Sequence, residues 1–263
     1  MTHHRLLTAA TSLVLLNLVA AGHYYRFEAP DPAADAAGEA TLAEAPATTE
    51  ELGSIPSTVP ATGEANAAAA TGPAATDPRP GVVKDDESLT VEAFVRTPGP
   101  EATAGQFIIA EQWAGRDNQT FRFGLQPSGD GPGGDTAEGQ THRLMLVLAQ
   151  RSGHVFRTNS DLNGANDDDI ALEPGTDYYV AVVFDNDADE ATFHATPLPD
   201  GPTQTKTVSF GIGNFKEDGS GVVDAPLGIG GSEAEGTAFA GVLDEVRVSP
   251  EALADDALLV AGE

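Results

Sequence analysis

Oxygen-rich side chains gathered in two loops are the residues of this sequence best suited to chemistry. One loop, Gly115-Arg116-Asp117-Asn118, precedes an alternating run. The other, Ser232-Glu233-Ala234-Glu235, joins two short runs near the C-terminal end. Hard oxygen donors on loops at one rim of a β-sandwich can hold Ca²⁺ with about six to eight ligands, some of them water. Asp161, Asn163, Asn166 and Asp167-Asp168-Asp169 make another acidic cluster. It lacks the EF-hand spacing, with no glutamate at the twelfth position, and reads as a turn whose Asp and Asn side chains satisfy the backbone. Trp113 is the one tryptophan and leads into Asp117-Asn118. An indole there suits stacking on the apolar face of a pyranose, although burial in the core is the commoner fate of such a residue. Trp113 and Asn118 are thus candidate ligand-binding residues.

Catalytic patterns do not appear in the sequence. Glycoside hydrolysis needs two carboxylates across a cleft, and period-two spacing on one strand would aim them there. Asp185, Asp187 and Asp189 alternate but fall at a hairpin tip, and Asp244-Glu245 are neighbours expected on opposite faces. His142, His154 and His194 have no nucleophile motif nearby and read as exposed strand residues rather than bases. No phosphate-cradling loop or dinucleotide fingerprint is present. The expectation is a protein that binds rather than one that catalyses.

Positioning these residues falls to short strands. Alternating or β-branched runs occur at Leu89–Arg96, Gln106–Gln112, Thr120–Gln126, His142–Gln150, Val155–Thr158, Asp177–Asp185, Glu190–Ala195, Lys206–Ile212, Leu227–Gly230 and Val242–Val248. Turn-forming Gly, Asp, Asn and Pro separate them, and Asn186–Asp189 should be a hairpin tip. No helical period of any length interrupts them, which predicts an all-β fold of two antiparallel sheets. Only the tail Pro250–Val260 has helix character, with Ser249 placed to cap it. Phe94, Phe121 or Phe123, Phe184 and Phe239 are the expected core aromatics. Tyr178 and Tyr179 must point to opposite faces, one into the core and one outside. In the last run, Val242, Asp244, Val246 and Val248 alternate with Leu243, Glu245 and Arg247, so Asp244 needs backbone N–H groups or Arg247 as partners.

The run P-L-x-I-G-G (from Pro226) followed by G-x-L-D-E-V-R-V-S (to Ser249) resembles the closing strands of laminin-G-like, concanavalin-A-like jelly-roll domains. Ser88–Arg96 (SLTVEAFVR) resembles an early strand of the same family, and Gly175–Asp185 resembles its "W-H-H-V-A-V-T-Y-D" strand, with Tyr178 and Tyr179 in place of the aromatic and histidine. Tyr24–Glu28 (YYRFE) is similar to the strand that opens many bacterial members. The resemblance implies an antiparallel two-sheet β-sandwich, a jelly roll, in which the strand at Tyr24–Glu28 lies beside Val242–Val248. It also implies a long irregular insert, residues 29–80, draped over the sandwich and poorly ordered around Ala67–Pro80. Gly115-Arg116-Asp117-Asn118 with the following strand further resembles the calcium loop of pentraxins, which share the jelly roll. That likeness implies Ca²⁺ ligation by Asp117 and Asn118, completed by Glu233 and Glu235, where the pentraxin pattern has a shorter acid.

Charge narrows the partners. The 263 residues carry 41 acidic and 13 basic side chains, a net charge of −28, and no cysteine. Such a surface repels nucleic acid, which is bound through clustered Lys and Arg. Without cysteine, stability must come from a large core rather than from disulfides. Residues 1–21 pair a short basic start with an apolar run and a small-residue cleavage site at Val19-Ala20-Ala21, the pattern of a secretory signal peptide. Residues 22–263 are then a single domain, secreted, periplasmic or held at the cell surface, with no membrane insertion once the signal is cleaved. Asn118-Gln119-Thr120 fits the N-glycosylation sequon. Together with the resemblance, these features lead us to expect an exported, non-catalytic module that binds a glycan or a cell-surface protein, with calcium at one rim. A structural component of an extracellular matrix or envelope is the alternative.

Overall fold

Valine, isoleucine, threonine and aromatic residues crowd the alternating segments, and in the computed structural model these segments are strands. The structure describes residues 22–37, 41–43, 45–75, 88–102, 106–113, 119–127, 141–149, 155–160, 170–209, 225–231 and 237–261. In chain order the strands are β1 (His23–Tyr25), β2 (Thr48–Thr49), β3 (Ala69–Ala70), β4 (Ala74–Ala75), β5 (Leu89–Arg96), β6 (Phe107–Trp113) and β7 (Gln119–Pro127). They continue with β8 (His142–Ala149), β9 (Val155–Asn159), β10 (Asp177–Asp185), β11 (Glu190–Pro197), β12 (Gln204–Ser209), β13 (Leu227–Ile229) and β14 (Val242–Ser249).

Among the described residues the strands form two antiparallel sheets. One has eight strands in the order β12-β11-β10-β5-β14-β3-β2, with β1 also paired to β14; the other has six, β4-β13-β6-β7-β8-β9. The expected closure is present, with His23 opposite Val248, Tyr24 opposite Arg247 and Tyr25 opposite Val246. Phe121, Phe123, Phe184, Phe239 and Tyr178 fill the core between the sheets with the leucines of β8 and the valines of β5 and β10. The I-G-G motif ends β13 on two left-handed glycines, Gly230 (φ 75°) and Gly231 (φ 71°). A Cβ on Gly231 would lie 2.2 Å from the carbonyl oxygen of Thr237, so glycine is required there.

Several expectations are corrected. Phe94 and Tyr179 lie on the far side of the eight-stranded sheet, in a second apolar cluster with Tyr24, Ile55, Val59, Leu253 and Leu259. Tyr179 is fully buried rather than outside, because the N-terminal insert and the C-terminal tail cover this face. The insert is less irregular than expected: Ala69–Ala70 pairs with β14, and Ala74–Ala75 pairs with β13, so it adds strands to both sheets. Residues 76–80 lie outside the described residues. The tail holds a single 3₁₀ turn, Asp255–Ala257, with no side-chain cap, in place of a helix begun at Ser249. Its backbone groups are claimed by the sheet instead. Thr90 Oγ1 donates to the Glu251 carbonyl at 2.7 Å and accepts from Leu253 N at 3.0 Å, while Leu259 N donates to Glu92 at 2.7 Å.

The period-two reading of β14 also fails, and for a specific reason. A β-bulge interrupts its pairing with β5 between Asp244 and Arg247, and Glu245 has φ 50°. One extra residue reverses the alternation. Leu243, Val246 and Val248 therefore face the core, while Val242 joins the outer cluster. Asp244 and Glu245 do not point to opposite faces. Both enter the layer beneath the N-terminal insert, where they meet Asn66, Tyr24 and Arg26.

Candidate functional site

Two polar constellations emerge, one on the outer side of each sheet. The first is closed. Glu92, Asp244 and Glu245 are all fully buried on the covered side of the eight-stranded sheet. Glu92 accepts from Tyr179 Oη at 2.6 Å, Arg247 Nε at 2.5 Å and Leu259 N at 2.7 Å. Asp244 accepts from Asn66 Nδ2 at 2.5 Å and from the N–H of Glu245 at 2.9 Å. Glu245 accepts from the Tyr24 hydroxyl and from Arg26 Nε at 3.1 Å, and Arg26 continues to Glu64 at 2.7 Å. Arg247 therefore serves Glu92 and not Asp244, as Asp244 finds a backbone N–H and an asparagine. Burial, then the neighbouring Glu245, pushes Asp244 well above the carboxylate range. Burial likewise lifts Glu245 to about 7, against the pull of Tyr24 and Arg26. Buried carboxylates so fully partnered clamp the insert and tail to the sheet; no face of them is open to a substrate.

The second constellation faces outward on the six-stranded sheet. In β7, Phe121, Phe123 and Leu125 enter the core, so Arg122, Gly124 and Gln126 occupy the opposite face. In β8, Leu144, Leu146 and Leu148 point inward, leaving Arg143, Met145 and Val147 outward. In β6 a bulge between Ile108 and Ala110 turns both Ile109 and Ala110 into the core and brings Glu111 to the outer face opposite Arg122. The Oε2 of Glu111 lies 2.5 Å from Nε of Arg122. Trp113, two residues on, lies on the same side, and a second irregularity between Gln112 and Trp113 places it opposite Gln119.

Trp113 is half-buried against Ile108, Met145 and Val147, outside the main core. The guanidinium carbon of Arg122 lies 4.1 Å from the centroid of the Trp113 ring, a cation–π contact. Arg122 thus stacks on the indole while pairing with Glu111, which fixes both partners. The result is a partly exposed aromatic ring, packed against an apolar patch, with a guanidinium stacked over it that also pairs with a carboxylate. Sequence alternation could have exposed Arg122 through the pattern F-R-F-G-L-Q, but Glu111 was hidden because only the bulge turns it outward.

Other expected residues resolve as follows. Asp117, Asn118, Glu233 and Glu235 lie outside the described residues, as do His154 and the Asp161–Asp169 cluster. Among the described residues no group of three or more His, Asp or Glu could hold a metal ion. His142 and His194 are buried rather than exposed. His142 meets Phe107 edge-on at 5.7 Å with a ring nitrogen 3.3 Å from the Pro98 carbonyl, and burial holds both histidines below their ordinary pKa. At the hairpin tip, Asp185 accepts from the N–H groups of Asp187 and Ala188 at 2.8 and 3.1 Å, a local turn cap.

Fold and site together define a two-sheet β-sandwich with an aromatic, charge-edged outer face. No family model matches the chain, and no curated protein matches it. Solved structures do. The enzymatically active domain of tailspike protein 2 from bacteriophage CBA120 matches with a TM-score of 0.52 and 16% identity, over 84% of this chain and 29% of that one. The receptor binding domain of botulinum neurotoxin C/D mosaic serotype matches with a TM-score of 0.50 and 6% identity, over 90% of this chain and 49% of that one. A Ruminococcus gnavus sialidase CBM40, bound to sialyllactose, matches at 0.42 with 18% identity, over 67% of this chain and 82% of that one. The chain spans less than a third of the tailspike and about half of the toxin domain. At these identities the likeness shows the fold.

Proposed function

We propose that this chain is an exported, laminin-G-like module that binds a glycan without cleaving it, through the outer face of the six-stranded sheet. The observation that carries this reading is Trp113: its indole is partly exposed, packed against Ile108, Met145 and Val147, with the Arg122 guanidinium over the ring and paired with Glu111. A pyranose has an apolar face and a rim of hydroxyls. The exposed part of an aromatic ring offers apolar contact, and polar groups fixed beside it suit the hydroxyls. The sandwich fold also serves a domain described as receptor-binding, the botulinum C/D mosaic fragment, which supports recognition as a role for this architecture. The chain's charge of −28 agrees with a partner other than nucleic acid.

A glycan array probed with the full chain tests this, followed by titration of each hit while monitoring intrinsic fluorescence. Because the chain has one tryptophan, the emission reports on the site alone. Saturable binding that shifts the Trp113 emission, no sugar released on prolonged incubation, and binding lost in Trp113→Ala with an unchanged melting curve are the expected results. Binding that leaves the Trp113 emission unmoved places recognition elsewhere on the molecule, and an array without hits removes the glycan reading.

A further inference from the structure

Residues 57–66 of the insert close on themselves above the eight-stranded sheet. Thr58 bridges Ala65, Val59 N donates to the Glu64 carbonyl at 2.9 Å, Gly63 N to the Val59 carbonyl at 2.8 Å, and Asn66 N to the Ser57 carbonyl at 3.0 Å. With its own backbone bonded internally, this flap docks mainly through side chains. Val59 is buried in the outer apolar cluster, and Ala61 N donates to the Leu259 carbonyl at 3.1 Å. The polar contacts converge on the β14 bulge. Asn66 Nδ2 donates to Asp244 at 2.5 Å. Arg26 donates from Nη1 to Glu64 at 2.7 Å, from Nη2 to the Ala65 carbonyl at 2.6 Å, and from Nε to Glu245 at 3.1 Å.

Beneath the flap two successive carboxylates are fully buried, and their surroundings hold too few cations for both to ionise. Asp244 stands opposite Phe94, itself opposite Tyr179, so its cross-strand row is aromatic. Its hydrogen bonds come from the Asn66 amide and the Glu245 N–H, and among the described residues no cation pairs with it. Arg26 is divided between Glu245 and Glu64, and Arg247 pairs with Glu92 beside Tyr179. The other polar groups around the pair are occupied. Tyr24 donates to Glu245, and Glu28 accepts from Ala67 N at 2.6 Å. His23 and Asp35 pair with each other at 2.6 Å, and Asp255 of the tail is exposed, 4.0 Å from His194. An unpaired charge in such a layer costs several kcal/mol, so the docked pair retains a proton. Ionising both carboxylates needs water, and water reaches them where the flap lifts.

We infer that residues 57–66 are a proton-locked flap, docked while Asp244 and Glu245 together retain a proton and lifted, with the sandwich intact, once both ionise. Burial raises both carboxyls in the docked state, Glu245 from 4.5 to about 7, and lifting returns them toward their ordinary range. Lifting therefore releases protons and is favoured as pH rises, with an opening constant that grows about tenfold per pH unit for each proton released. Amide hydrogen exchange of the full chain, corrected for the intrinsic pH dependence of exchange, tests this. Protection of residues 57–66 should fall by about tenfold or more per pH unit between about pH 5 and pH 7, while β7, β8 and the Trp113 emission stay constant. The double variant Asp244→Asn/Glu245→Gln should lose that slope, whatever its absolute protection, and Asp244→Asn alone should reduce it. Glu64→Gln, which removes the exposed acid of the flap, should keep it. Protection independent of pH overturns the inference, as does a slope that survives the double variant or disappears with Glu64. Loss of protection in the flap, β7 and β8 together also overturns it, since the whole sandwich is then opening.

Discussion

Asn66 donates its side-chain Nδ2 to Oδ2 of Asp244 at 2.5 Å, joining residues 178 positions apart in the chain. The same nitrogen donates to the Pro56 carbonyl at 3.0 Å, so one amide pins the N-terminal insert and supports a fully buried carboxylate. Asn66→Ala leaves Asp244 with only the Glu245 N–H. We expect a loss on the order of 1–3 kcal/mol in urea unfolding, the cost of stranding a buried polar group. Limited proteolysis within residues 50–66 should accelerate in parallel. Unfolding and cleavage equal to wild type would show that the contact does not hold the insert.

Acidification should strengthen this protein before it weakens it. Burial raises Glu245 from 4.5 to about 7, and raises Asp244 well above its ordinary value. A carboxyl whose folded pKa exceeds its unfolded one contributes most below the unfolded value, and that contribution fades as pH rises through the folded value. Stability should thus fall between about pH 5 and pH 8, by on the order of 3 kcal/mol from Glu245 alone. Repulsion among the surface acids acts in the same direction. Asp35 opposes the trend at lower pH: despite its burial, hydrogen bonds from His23, Tyr24 N and Ala37 N hold it below the usual range. Glu245→Gln should flatten the pH 5–8 slope; a variant with the wild-type slope would relieve Glu245 of this role.

Calcium supplies a separate expectation, from the likeness of Asp117-Asn118 to the pentraxin loop. We propose that Ca²⁺ raises the melting temperature of the wild type and leaves Asp117→Ala unmoved, since binding to the folded state stabilises it by mass action. Identical melting curves in calcium and in chelator would remove the site.

Much of the architecture was legible in the chain itself. Alternation in Leu89–Arg96 and Asp177–Asp185 marked two strands to the residue, and turn-rich spacing marked Asn186–Asp189 as a hairpin tip, because both signals depend only on neighbours in sequence. The motifs at Tyr24 and Val242 likewise anticipated the pairing that brings the two ends together. What local pattern cannot carry is an inserted residue. The bulges at Ile108–Ala110 and Asp244–Arg247 each reverse the period of two, and so decided that Glu111 meets Arg122 on the side of its sheet away from the core while Asp244 and Glu245 share a buried layer. Burial by distant segments was equally invisible. Tyr179, His194 and Glu92 have the sequence surroundings of half-exposed strand residues, yet each is covered because the insert and tail fold over their face. Local alternation sets which strands exist; bulges and long-range cover set which side chains are left facing solvent, and with them where this protein can bind.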